Sequence, residues 1–134
     1  MKDYIENVVK TESPTTPELV ARLSSTENIR LLHAAIGMCT ESGEFIDQLK
    51  KHIFYGKPLD KVNLKEEIGD QLWYIGIALD ALDSDFDTEQ RKNIAKLQAR
   101  YPSKFSEESA INRDLDKERK ILESTNFTTI VPAL

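Results

Sequence analysis

Residues 64–82, LKEEIGDQLWYIGIALDAL, constrain this chain more than any other segment. At about 100° per residue on a helix, with Asp70 set at zero, Leu64, Ile68, Leu72, Ile75, Leu79 and Leu82 form one stripe. That stripe is centred about 150° from Asp70. Glu66, Glu67 and Asp70 lie on the opposite side, and Trp73, Tyr74, Ile77 and Ala81 follow them one to three turns later. The second half is therefore apolar nearly all round. Such a helix is expected to be central and packed on two sides, with the leucine and isoleucine stripe as its core face. Its acids then stand at one end of a buried face.

The segment before it answers in kind. A helix from about Glu27 to His52 puts Leu31, Ala35, Met38, Ile46 and Leu49 on an apolar stripe. Ala34, Gly37, Glu41, Glu44 and Gln48 lie along another edge. The small residues Ala34 and Gly37 leave room for a ligand or a close-packed helix. Gly43 and Gly69 sit inside the two acidic segments, where helix propensity disfavours them by ~1 kcal/mol each. They predict close packing between the two segments.

The rest of the chain reads as more helix. Leu, Ile, Ala, Glu and Lys dominate, and five Gly and five Pro are few for a turn-rich β fold. Asp3–Lys10 is a short helix ended by TESPTTPE, with Pro14 and Pro17 as breakers. Pro17 opens a second, through Leu23. Ser24, Ser25 and Thr26 are the candidate N-caps for the long helix. FYGKPLDKVN is a connector, and Asn63 is the expected N-cap of the 64–82 helix. Helices over about 88–100 and 106–122 follow, then the apolar end FTTIVPAL. The expected fold class is all-α, a bundle of about four to six helices in one domain, 1–134. Its core is 28–123, with a helical arm over 1–24 and an apolar tail over 124–134 that docks on the body or on a partner subunit.

Composition narrows the functional classes. The net charge of −5 argues against general nucleic-acid binding. Cys39 is the only cysteine, which excludes an internal disulfide and a thiolate zinc site; its helical position is on the apolar side, as core. No stretch reaches the apolar length of a membrane span, and MKDYIENVVK lacks the core of a signal peptide. A cytoplasmic protein without membrane association is the default expectation.

Chemistry is concentrated in two acidic pairs: Glu41 and Glu44 in ESGE, Glu67 and Asp70 in EEIGD. Each pair is spaced i, i+3, which brings the side chains within about 60° of each other on a helix. In a chain with 23 Asp and Glu, such pairs also arise as solvated faces. The apolar character of the 64–82 helix leaves little solvated face for Glu67 and Asp70. Two carboxylates about 4 Å apart repel by ~1 kcal/mol in water and ~4 kcal/mol at an effective dielectric of 20. A hard divalent cation removes that repulsion and prefers oxygen ligands. Two acids on each of two helices suit two Mg²⁺ ions, or three, which neutralise a phosphate chain and activate a water. A di-iron bundle is excluded, because neither His33 nor His52 follows a glutamate by three. An EF-hand is excluded, because DALDSDFDTEQ lacks the central glycine.

At these residues the chain resembles the MazG-like family of all-α nucleotide pyrophosphohydrolases, whose pattern is Glu-x-x-Glu, a spacer, then Glu-x-x-Asp. The surrounding phrases LLHAAIGMCTESGEFIDQLKK, FYGKPLDKVNLKEEIGDQLWYI and NIAKLQARYPSKFSEESAINRDLDKER are also similar, so the resemblance covers about 28–123. It implies a helical bundle of the all-α NTP pyrophosphatase type and hydrolysis of a nucleoside triphosphate to monophosphate and pyrophosphate. It also implies Mg²⁺, with Mn²⁺ as a substitute, on Glu41, Glu44, Glu67 and Asp70. A homodimer or homotetramer with sites near subunit interfaces is implied as well. The role would be nucleotide housecleaning or control of deoxynucleotide pools.

Glu41 or Glu44 is the candidate to orient or deprotonate the attacking water, with Glu66 in reserve. Asn93, Lys96 and Arg100 share one helix face; the two cations suit phosphate oxygens. Asn93 and Lys96 resemble the family's nucleotide-contacting positions. Arg113 and Lys57 are weaker candidates. Tyr74 and Trp73 offer a surface for a base, against the commoner fate of core packing. His33 offers a base contact or water relay, against that of a buried, hydrogen-bonded histidine. A binding module of the same fold without turnover, and a purely structural helical oligomer, are the competing classes; intact acids disfavour both.

Overall fold

The computed structural model describes residues 2–124, and among them it is helical with no strand. The helices are α1 (Lys2–Thr11), α2 (Pro17–Leu23), α3 (Thr26–Tyr55), α4 (Lys61–Ala81), α5 (Phe86–Arg100), α6 (Glu107–Ile111) and α7 (Leu115–Glu123). The all-α class is as expected. The segment 106–122 is two helices where one was expected, because Asn112 ends α6 and the Asp114 carboxylate accepts from the Lys117 amide at 2.9 Å to start α7. A side-chain cap satisfies an N-terminal amide better than a continued helix tolerates Asn and Asp in its interior. The apolar tail beyond Ser124 lies outside the described residues.

Local capping sets the other boundaries. Thr16 Oγ1 accepts from the Leu19 amide at 3.2 Å, and Pro17 occupies the first turn of α2, where its missing N–H costs nothing. Ser25 caps α3, accepting from the Asn28 amide at 3.1 Å. Gly56 ends α3 at φ 64°, a left-handed conformation that glycine adopts without strain. Helix α4 begins three residues before the expected Leu64. Asp60 is its cap rather than Asn63: Asp60 Oδ1 accepts from the amides of Val62 and Asn63, both at 3.0 Å.

The chain divides into two compact units, one ending at Ala81 and one beginning at Leu82. In the first, α3 and α4 pack antiparallel. Arg30 pairs with Asp80, Gly37 meets Tyr74, and Glu41 approaches Glu67 and Asp70, so positions advance along α3 as they recede along α4. Ala34 and Gly37 are buried on α3, and Glu67 is the buried residue of α4. The helices therefore meet along the edges that carry the acids.

This overturns the expected core face. Ala35 and Ile46 of the α3 stripe are exposed, as are Ile68, Leu72 and Leu82 of the second stripe. Cys39 is also exposed rather than in the core. The reason lies in the small residues: Ala34 and Gly37 admit α4 against their own edge, while Leu31, Met38, Leu49, Leu64, Ile75 and Leu79 of the bulkier stripes are left half-buried. Gly43 and Gly69 do not mediate the approach, because a Cβ at either would meet open space.

In the second unit, α5 starts at Asp85, whose carboxylate accepts from the Thr88 amide at 2.8 Å. It packs against α7.

Candidate metal centre

Helix α3 presents Glu41, and α4 presents Glu67 and Asp70 one turn apart. One carboxylate oxygen from each lies within 4.8 Å of the others. Glu41 is half-buried, Glu67 is 4% exposed and Asp70 is exposed, so the cluster runs from the helix interface out to solvent. Glu44, one turn beyond Glu41, is exposed and stands outside this group. Glu66 is exposed beside Glu67.

Burial pushes the Glu67 carboxyl above its ordinary pKa, and the neighbouring Glu41 and Glu66 push it the same way. Asn63 opposes them: its Nδ2 donates to Glu67 Oε1 at 2.7 Å and reaches Glu66 Oε2 at 3.4 Å. Ser42 Oγ donates to the Met38 carbonyl at 2.6 Å within α3 and lies 3.4 Å from Gln71 Oε1 across the interface. Thr40 Oγ1 donates to the Gly37 carbonyl at 2.9 Å and lies 3.3 Å from Glu41 Oε1.

The donor set is three carboxylates with no nitrogen or sulfur ligand. Oxygen-only donors of this kind fit a hard divalent cation, and one exposed ligand leaves a side open to water and phosphate. A buried carboxylate with a raised pKa is also a group that a cation would return to its ionised form.

The second-tier residues fall in two places. His33, Trp73 and Tyr74 form an edge-to-face trio in the first unit. The His33 and Tyr74 ring centroids are 5.5 Å apart, and those of Trp73 and Tyr74 are 4.9 Å apart. Tyr74 is half-buried over Gly37. His33 is exposed, and Trp73 is 59% exposed, so neither takes the buried role that each was more readily expected to have. Lys57 is exposed, and its carbonyl accepts from or faces His52 Nδ1 at 2.8 Å.

In the second unit, Asn93 is exposed and Lys96 is half-buried on α5. Arg100 is committed elsewhere: its Nε and Nη2 donate to both oxygens of Glu118 at 2.8 and 2.6 Å. Arg113 donates to the same carboxylate, with Nη2 at 2.6 Å. Glu118, 5% exposed, is held down to a pKa of about 2 by these two guanidinium groups. Arg100 and Arg113 thus hold α7 to the residues before it.

Asn63 and Glu118 were missed as residues of consequence. For Asn63, a signal was available in the i, i+4 spacing to Glu67, which places an amide one turn from a carboxylate on the same face. The Arg100–Glu118 pair is eighteen residues apart in sequence and carries no local signal.

A family model described as the MazG nucleotide pyrophosphohydrolase domain matches residues 32–105, more than half of the chain. The match spans all four candidate acids and every second-tier position from His33 to Arg100. No individual curated protein and no solved structure matches the chain.

Proposed function

Because the chain belongs to the MazG nucleotide pyrophosphohydrolase family, we propose that it hydrolyses a nucleoside or deoxynucleoside triphosphate to the monophosphate and pyrophosphate in a Mg²⁺-dependent reaction. The observation that carries this reading is the approach of Glu41, Glu67 and Asp70 within 4.8 Å around a buried Glu67. Glu41, Glu67 and Asp70 hold Mg²⁺, or Mn²⁺ in its place, and Glu44 adds a fourth carboxylate from the next turn of α3. When bound, such ions neutralise phosphate oxygens and lower the pKa of a water. Glu41 or Glu44 orients or deprotonates the attacking water.

The rings of His33, Trp73 and Tyr74 offer the nucleobase an aromatic surface on the same helix pair. Asn93 and Lys96 are assigned as nucleotide contacts only on their resemblance to the family's nucleotide-contacting positions. The Arg100 guanidinium is already engaged by the Glu118 carboxylate. The exposed apolar residues on α3 and α4 support a homodimer or homotetramer, in which a copy of the chain covers them. No helix among the described residues is long and apolar enough to cross a membrane, and a cytoplasmic role in nucleotide-pool housecleaning or deoxynucleotide control accords with that.

A pyrophosphate-release screen over standard and damaged nucleotides, with Glu44→Ala and Asp70→Ala as controls, tests the reading. Release by the wild-type protein that both variants lose supports it. Nucleotide binding without release by the wild-type protein points to the non-catalytic module instead.

A further inference from the structure

The Asn63 side chain occupies an unusual position beside the acids. Its Nδ2 donates to Glu67 Oε1 at 2.7 Å and to Glu66 Oε2 at 3.4 Å. Its Oδ1 is buried and has no hydrogen-bond partner among the described residues. The amide cannot turn over to relieve this, because its oxygen would then face two carboxylates. Its backbone N–H, meanwhile, is satisfied by Asp60 Oδ1 at 3.0 Å, so the side chain is not needed to start α4.

An amide whose nitrogen reaches two carboxylates, and which is not needed as a cap, has its role at the acids. It fixes the rotamer of Glu67 and keeps the second oxygen directed away from Asn63. Groups that orient metal-binding carboxylates in this way influence affinity nearly as strongly as the ligands themselves.

We propose that Asn63 is a positioning residue for the metal site, holding Glu67 through Oε1 and so orienting the carboxylate that would bind a divalent cation. The inference rests on the reading of Glu41, Glu67 and Asp70 as a metal site. It adds a residue to that site which touches neither cation nor substrate.

The test is Mn²⁺ binding to the full-length, nucleotide-free protein, followed by calorimetry or by the signal of free Mn²⁺, beside thermal melts of the metal-free form. Asn63→Leu should weaken Mn²⁺ binding by about tenfold or more. It should lower the metal-free melting temperature only modestly, since the donor to Glu67 and the unmade acceptor are lost together. In turnover, the Mg²⁺ concentration for half-maximal rate should rise while kcat at saturating Mg²⁺ recovers. Asn63→Ala, which favours helix, should show the same loss of affinity and keeps the test decisive if leucine disturbs the packing. Equal Mn²⁺ affinity in wild type and both variants overturns the role of Asn63 and leaves the metal site standing. Absence of Mn²⁺ binding in the wild-type protein overturns the metal site itself, and this inference with it.

Discussion

Tyr74 of α4 lays its ring over Gly37 of α3, in the space that a side chain at position 37 would fill. The contact lies one helical turn from Glu41 on α3 and one turn from Asp70 on α4. It sets how closely the two helices approach where the acids meet. A Cβ at position 37 would overlap the Tyr74 ring, which is half-buried and touches two other rings.

Gly37→Ala therefore forces the helix pair apart. Overpacking of this kind should destabilise the protein by about 3 kcal/mol. Shortening the obstacle relieves the clash, so Gly37→Ala/Tyr74→Ala should lose less than the sum of its single variants. Chemical denaturation of the four proteins measures this; strict additivity would show that the two residues do not meet.

Glu67 trades stability for function. Its folded pKa is raised, so the metal-free fold is favoured below the usual carboxylate value and loses that advantage as pH rises through the folded value. Glu67→Gln should raise the metal-free melting temperature at neutral pH. Added Mg²⁺ should raise the wild-type melting temperature and leave the variant unmoved. A wild-type melt indifferent to Mg²⁺ would count against the site.

Glu118 has the opposite sign. Its pKa falls from the usual 4.5 to about 2 because Arg100 and Arg113 hold the ionised form. Its contribution is present in full above about pH 4.5 and is lost as pH falls toward 2. Glu118→Gln should melt well below wild type at pH 7, with the gap closing in acid. Melts from pH 2 to 7 check this, and a gap independent of pH would contradict it.

Exposed apolar residues on α3 and α4 predict self-association. Ile36 is 54% and Leu72 49% exposed on the paired helices. Light scattering should report a dimer or larger, and Ile36→Asp or Leu72→Asp should shift it toward monomer. A wild-type monomer would remove the need for a covering copy.

Much of this was legible in the chain, for identifiable reasons. The i, i+3 spacing placed Glu67 and Asp70 on one face, and that spacing survives any way the helix is packed. Whether Glu41 or Glu44 joins them depends on how α3 and α4 approach, and Gly37 and Tyr74 decide that through space. The start of α4 was misplaced because Asp60 and Asn63 are both good caps one turn apart, and only the fold shows which is used. Cys39, Ile46 and Leu72 were expected inside because an apolar stripe reveals that a face is apolar, not whether its partner lies in the same chain. The Arg100–Glu118 pair depends on chain folding between α5 and α7, which local pattern does not encode.

Pyrophosphate release in Mg²⁺ by wild type, Glu67→Ala and Asp70→Ala, each verified as folded, bears most directly on the three-carboxylate centre. Release from at least one nucleoside triphosphate by the wild-type protein, reduced about 100-fold or more in both variants, is the expected result. Wild-type rates in folded variants, or no release from any nucleotide by the wild-type protein, would contradict it.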